Sequence, residues 1–284
     1  MDGIVLVNKP KGVTSRNVVD SVGKILNTKK IGHTGTLDPL ATGVLILTVN
    51  KATKIGELLT NYYKEYVAEV VLGLKTDTLD ITGNILEEQK IHIPEEQIVQ
   101  VLNKMIGSYE QEVPIYSAVK IKGKKLYEYA REGVHVDLPK RIVTIKSLEL
   151  ISDVIYENDK TIFKIKCLVS KGTYIRSLIN DIAINLGTIG IMKNLTRTKQ
   201  GNFRIEDCLE IEKIDSSKII PLEQCLNGYF KVEVDEELFN RIKNGQIIKN
   251  IYHEETIVFI YKQKVVAIYQ KYDDDKIKPW KMFV

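Results

Sequence analysis

The stretch Gly32-His33-Thr34-Gly35-Thr36-Leu37-Asp38-Pro39-Leu40-Ala41-Thr42-Gly43 gathers one carboxylate, one imidazole and three glycines into a single irregular segment. Glycine permits tight backbone and close approach of a ligand, and Pro39 drives the preceding Asp38 toward extended geometry, which fixes where its carboxylate points. With an ordinary pKa of about 3.9 such a group is ionised near neutrality and suits a nucleophile or base rather than an acid. Burial among Leu37, Pro39, Leu40 and Ala41 would oppose the charge unless a cation lay near, and Arg176 is a candidate partner. The plainer reading makes the segment a tight connection in which Asp38 caps the next element.

Other chemistries lack their residues. Neither this loop nor Gly187 to Lys193 has the spacing ending in Gly-Lys-Ser/Thr that cradles a nucleotide phosphate, so nucleotide hydrolysis is not expected. The four histidines (His33, His92, His135, His253) include no pair at the spacing that puts two ligands on one helix face. Cys167, Cys208 and Cys225 are far apart and form no C-x-x-C, which argues against a zinc site or a disulfide framework. No metal and no organic cofactor is expected.

The loop must be held by its neighbours. Before it, Ile4 to Val7 reads as a strand, and Thr14 or Ser15 caps a helix with Val18, Val19, Val22, Ile25 and Leu26 on one face. After it, Val44 to Leu47 reads as a strand. Further strands are expected at Tyr66 to Leu72, Ile142 to Ile151 and Thr161 to Val169, and a helix from Pro94, in its first turn, to Gly107. Lys171-Gly172-Thr173 then turns into a helix carrying Ile175, Leu178, Ile179, Ile182 and Ala183, so Tyr174 and Arg176 fall at a helix N-terminus. The pattern is α+β. From Phe230 onward it changes to a helix-like stretch, Asp235 to Lys243, and three short strands around Ile257 to Tyr261, Val265 to Gln270 and Trp280 to Phe283. Two domains are expected, 1–229 and 230–284, as suits 284 residues at roughly 150 per domain. No apolar run approaches the roughly 18 residues that span a bilayer, and no basic leader precedes the first strand, so a cytoplasmic protein without membrane association is expected.

The chain carries 41 Lys+Arg against 37 Asp+Glu, a formal charge of +4. Between Pro114 and Ile145, seven basic residues (Lys120, Lys122, Lys124, Lys125, Arg131, Lys140, Arg141) face three acidic ones, with Tyr116, Tyr127 and Tyr129 threaded among them. Basic groups neutralise phosphates and aromatic faces stack unpaired bases, although a solvated charged face with core tyrosines has the same composition. A second patch, Gly190 to Arg204, holds Lys193, Arg197, Lys199 and Arg204 with no acid.

Gly32 to Leu45 resembles the signature of the TruB family of pseudouridine synthases, which isomerise a uridine in the T loop of tRNA. Lys9-Pro10-Lys11-Gly12, Lys64-Glu65-Tyr66, Lys75-Thr76-Asp77-Thr78-Leu79-Asp80, Gly172-Thr173-Tyr174-Ile175-Arg176 and Leu195-Thr196-Arg197-Thr198 follow in family order. The resemblance implies a catalytic body with a mixed, mainly antiparallel central sheet flanked by helices, and a small PUA-like β-rich end domain, here short. It implies Asp38 as the catalytic aspartate acting at the ribose, Arg176 as its paired arginine, and Tyr66 as the aromatic residue packed on the target base. It makes Tyr174 and Leu195 pocket residues and His33 a contact to the flipped nucleotides. Lys9 is carried as a substrate-side residue whose motif supports the loop. The segment 114–141 corresponds to an RNA-gripping insertion, so Lys120, Lys122, Lys124, Lys125, Arg131 and Arg141, with Arg197, are expected to bind RNA. The implied activity is isomerisation of uridine 55, with the T loop and stem of tRNA as partner, no required protein partner, and a monomeric enzyme. Guide-dependent relatives share these motifs, and a non-catalytic tRNA-binding or folding protein would need only the basic surfaces.

Overall fold

The computed structural model describes residues 1–284. Besides a two-residue edge strand at Ile220–Pro221, seven strands form the main path of a large sheet: β1 (Gly3–Lys9), β2 (Thr42–Val49), β3 (Lys64–Leu72), β4 (Gly107–Glu112), β5 (Lys140–Leu150), β6 (Lys160–Val169) and β7 (Gly190–Gln200). They lie in the order β1-β2-β7-β3-β6-β5-β4, and each pairing is antiparallel except β2 with β7. The expected mixed, mainly antiparallel sheet is present.

Alternation decides which side of β3 is core. Tyr66, Ala68, Val70 and Leu72 are buried and join Phe163, Ile165 and Cys167 of β6 in one apolar cluster. Helix α1 (Ser15–Ile25) is capped by Thr14, whose hydroxyl accepts from the Asn17 amide at 3.1 Å, and it packs Val18, Val19 and Val22 against Val5, Val7, Leu45 and Leu47. Ile25, assigned to that face by spacing, is exposed instead. Helix α2 (Glu95–Lys104) begins one residue later than expected, because Pro94 sits in extended backbone as its cap, and Ile106 lies beyond its end. A short helix, α3 (Leu126–Arg131), lies inside the basic segment. Helix α4 (Ile175–Asn185) buries Ile175, Leu178, Ile179, Ile182 and Ala183 against the β3–β6 cluster, as its periodicity requires.

The last part folds as a second sheet, β8 (Phe230–Glu233), β9 (Ile248–Lys249), β10 (Thr256–Tyr261), β11 (Lys264–Lys271) and β12 (Lys276–Met282), in the order β8-β10-β11-β12-β9. Helix α5 (Glu236–Lys243) is capped by Asp235, whose Oδ1 accepts from the Leu238 amide at 2.8 Å. The third strand begins earlier than its apolar end suggested, and β8 and β9 were not expected. One side of this sheet has its own core of Ile242, Ile257, Phe259, Tyr269 and Ile277. The other side, with Val258, Val265 and Ile268, shares a cluster with Ile4, Leu6, Val44 and Ile46 of the large sheet. No helix is long and apolar enough to cross a membrane.

Candidate active site

The glycine loop leaves a short strand, Ile31–His33, paired to β2, and re-enters the sheet at Thr42. Between those points it is tied down on both sides of Asp38. The Ser15 hydroxyl accepts from the Leu37 amide at 2.8 Å and donates to the Leu37 carbonyl at 3.1 Å. The Gly12 amide donates to the Pro39 carbonyl at 2.8 Å, and the Ala41 amide to the Asp38 carbonyl at 3.0 Å. Lys9 is 0% exposed. Its ammonium donates to the carbonyls of Pro10, Val13 and Pro39, the last at 3.4 Å. Burial pushes its pKa down to about 8 against the opposing pull of the Asp38 carboxylate. All three donors of Lys9 are spent on backbone carbonyls of the loop and its flank, which leaves none for a substrate.

Arg176, in the first turn of α4, closes on Asp38 from the other side. Its Nε donates to Oδ2 at 2.9 Å and its Nη2 to Oδ1 at 3.2 Å, the two-pronged geometry that a guanidinium and a carboxylate share. Nη1 donates to the Thr78 carbonyl and Nη2 to the Tyr116 carbonyl, both at 3.0 Å. The Arg176 side chain is 4% exposed and that of Asp38 34%, so the cation is walled in while the anion keeps one open side. A charge held in this way is oriented, compensated and reachable, which are the requirements for a carboxylate that reacts.

Chain neighbours of Asp38 turn into the apolar core. Tyr66 and Leu195 are buried with Leu37, Leu40 and Ala41 in one cluster. The Tyr66 hydroxyl accepts from Arg197 Nη1 at 3.4 Å. Arg197 itself corrects the sequence reading. It is 1% exposed, and its guanidinium donates to the Val44 carbonyl at 2.7 Å and the Gly35 carbonyl at 3.1 Å. It holds the two ends of the loop to β7 and has no face left for a phosphate. At the same crossing Gly43 has φ +99°, and a Cβ there would lie 2.2 Å from the Arg197 carbonyl oxygen, so only glycine fits.

His33 is half-buried, with Nδ1 accepting from the Gly35 amide at 3.3 Å. Burial, then the charges of Arg197 and Arg16, lower its pKa, which favours the neutral ring with its remaining N–H on Nε2. Tyr174 occupies the capping position of α4, with Arg141 over its ring at 5.7 Å.

In the basic segment Lys120, Lys122 and Arg131 are exposed. Lys124 pairs with Glu132, and Lys125 donates to the Tyr127 hydroxyl at 3.1 Å. Cations of the segment also lie over its own rings, Lys124 over Tyr129 and both Lys125 and Arg131 over Tyr127. In this state those tyrosine faces are partnered internally rather than open for stacking.

The Thr78 and Tyr116 carbonyls that complete the Arg176 shell went unnoticed in the sequence, because a backbone acceptor has no residue signature. The positive φ of Leu79, +62°, has no residue signature either, although it lies within the motif Lys75 to Asp80. Lys64, also buried, donates to the Thr60 and Tyr62 carbonyls, and burial brings it down to about 8.

The pattern of the TruB family pseudouridylate synthase N-terminal domain matches residues 23–175. The chain is 41% identical to tRNA pseudouridine synthase B of Bacillus licheniformis over 302 aligned positions, covering 100% of this chain and 98% of that protein. It is 41% identical over 273 positions to the protein of the same name from Clostridium kluyveri, covering 95% and 92%. Among solved structures, a Cbf5-Nop10-Gar1 complex aligns with a TM-score of 0.70 at 25% identity over 99% of this chain and 84% of that one. An H/ACA RNP bound to a substrate RNA containing 2′-deoxyuridine aligns with a TM-score of 0.71 at 24% identity over 99% and 85%, and shares the fold. With both its sequence and its architecture matched, the chain belongs to the TruB family of pseudouridylate synthases.

Proposed function

We propose that this chain converts uridine 55 of the tRNA T loop to pseudouridine, with Asp38 as the catalytic group. The carrying observation is the two-pronged Arg176–Asp38 pair, which leaves the carboxylate one open side on a loop whose Leu37 is buried in one apolar cluster with Tyr66 and Leu195. The reaction is an isomerisation. The bond from the anomeric carbon to N1 breaks, the uracil turns in the pocket, the anomeric carbon bonds to C5, and the C5 proton is lost while N1 gains one. Asp38 either adds to the anomeric carbon or removes the proton of the neighbouring sugar carbon, and both routes require it ionised. Arg176 holds that charge in place, and Tyr66 packs on the base.

The target base lies inside a folded loop and must be everted at a cost of a few kcal/mol. Contacts from Lys120, Lys122, Lys124, Lys125 and Arg131 to the T loop and stem offset that cost. His33 fills the place the base vacates, and Tyr174 contacts the nucleotide. The enzyme acts alone as a cytoplasmic monomer, with residues 1–229 carrying the chemistry and 230–284 adding RNA contacts through shape. A guide-independent reading is favoured because the 41% identity extends over nearly the full length of the bacterial tRNA enzymes. Mapping pseudouridine in tRNA from cells with and without this chain tests the assignment: loss confined to position 55 supports it, and an unchanged map refutes it.

A further inference from the structure

Helix α4 starts without a cap from its own sequence, since the Tyr174 side chain takes no backbone hydrogen bond. The neighbouring strand provides one. Gln111 of β4 is 1% exposed, and its Oε1 accepts from the Tyr174 amide at 2.8 Å. Its Nε2 donates to the Tyr174 carbonyl at 3.2 Å and to the Tyr109 hydroxyl at 2.8 Å. A backbone N–H can only donate, so the orientation of the Gln111 amide is determined rather than arbitrary.

The same strand grips the helix twice more. The Tyr109 hydroxyl, two residues before Gln111 and on the same face of β4, donates to Asp181 Oδ2 at 2.9 Å. Burial, reinforced by the Asp181 charge, lifts the Tyr109 phenol far above its ordinary range and keeps it protonated as a donor. The Ser177 hydroxyl donates to the Glu112 carbonyl at 2.9 Å. Helix α4 is thus hydrogen-bonded to β4 at Tyr174, Ser177 and Asp181, and Arg176 lies between the first two.

We infer that Gln111 is a positioning residue for the reaction: by clamping both polar groups of the Tyr174 backbone it sets the rotation and axial placement of the first turn of α4, and with them how Arg176 meets Asp38. The inference rests on the functional reading above. Gln111 has no hydrogen bond to the carboxylate, so it acts through the Tyr174 backbone and the helix that starts there. The fork contacts at 2.9 and 3.2 Å tolerate little movement, and a misplacement of about 1 Å at a reacting group can cost on the order of 100-fold in rate.

The test is steady-state kinetics of the full chain on tRNA labelled with tritium at uridine C5, whose release follows the chemistry. Gln111→Met keeps the volume and removes the clamp. The expected result is a kcat lowered about 10- to 100-fold with KM within about twofold, the signature of a loss confined to the bound complex. In an Arg176→Lys background the same change should lower kcat by no more than about twofold further, because the group it positions is already altered. An unchanged kcat, a loss expressed in KM, or full multiplication of the two losses would overturn the inference. If Gln111→Met fails to fold, Tyr109→Phe, which deletes only the hydroxyl next along, should still lower kcat about 2- to 10-fold at unchanged KM, and no effect there would refute the positioning role. A wild-type chain that releases no tritium would count against the functional reading itself, whereas an active wild type with indifferent variants counts against Gln111 alone.

Discussion

The loop around Asp38 and the segment 114–141 both leave and re-enter the same sheet, yet they are built oppositely. In the first, almost every polar group has a partner: Arg176 has four hydrogen bonds, Lys9 three, Arg197 a fork of its own, and Leu37 is bonded to Ser15 through both backbone groups. In the second, the cations are exposed, rest on neighbouring tyrosines or, as Lys124 with Glu132, pair with a surface carboxylate. Such pairings are individually worth about 1 kcal/mol or less at a surface and are exchanged easily for phosphates. The difference separates two tasks. A preorganised region supplies chemistry, where placement matters, and an adaptable one supplies affinity, where charge matters. The carbonyl of Tyr116, accepting from Arg176, is where the two regions meet.

Substitutions that divide rate from affinity sharpen this contrast. The largest effect is expected for Arg176→Lys, which keeps the charge but loses the fork. Single-turnover rates should fall about 100- to 1,000-fold with tRNA affinity within a few-fold. A rate near wild type would mean that charge alone, not geometry, is needed at this position.

The reverse pattern is expected for a combined Lys122→Gln, Lys124→Gln, Lys125→Gln variant. Its tRNA affinity should drop about 10-fold or more at moderate salt, and the log–log salt dependence should flatten by about one for each phosphate contact removed. The rate at saturating tRNA should hold. An unchanged slope would place the RNA grip elsewhere, and a collapsed saturated rate would break the proposed division of labour.

The smallest effect concerns the buried ammonium of Lys9. Its pKa is about 8 in the folded chain against 10.5 ordinarily, so between these values the unfolded state holds a proton that the folded state has released. Stability therefore rises with pH across that window, by at most about 1.4 kcal/mol per pH unit for this one group. Urea unfolding at several pH values should show the rise in wild type relative to Lys9→Met. A constant difference between the two would contradict the assignment.

Much of this arrangement was legible in the residues, and the exceptions share a cause. The cap at Thr14 and the apolar faces of β3 and α4 follow from side chains whose chemistry or spacing is explicit, whereas Arg176 stands only as a candidate partner of Asp38 until the family resemblance joins the two. Strand β7 has the composition of a basic patch because Lys193, Lys199 and the buried Arg197 hide its alternation, and composition counts a charge without knowing whether it is covered. Strand β4, Gly-Ser-Tyr-Glu-Gln-Glu, has almost no apolar pattern, and its place in the sheet is set by pairing with β5. Gln111 was silent for the same reason: its importance lies in what the tertiary fold sets beside it. The short strands β8 and β9 depend on neighbours in the same way.

The central claim is that one ionised carboxylate performs the isomerisation and contributes little to holding the RNA. Asp38→Asn removes the charge and almost nothing of the shape, so pseudouridine formed at position 55 in a single turnover, measured beside the dissociation constant for the same tRNA, tests it most directly. The account predicts a rate lowered by about 10⁴-fold or more with binding within a few-fold of wild type. Pseudouridine forming at an undiminished rate in that variant would contradict it.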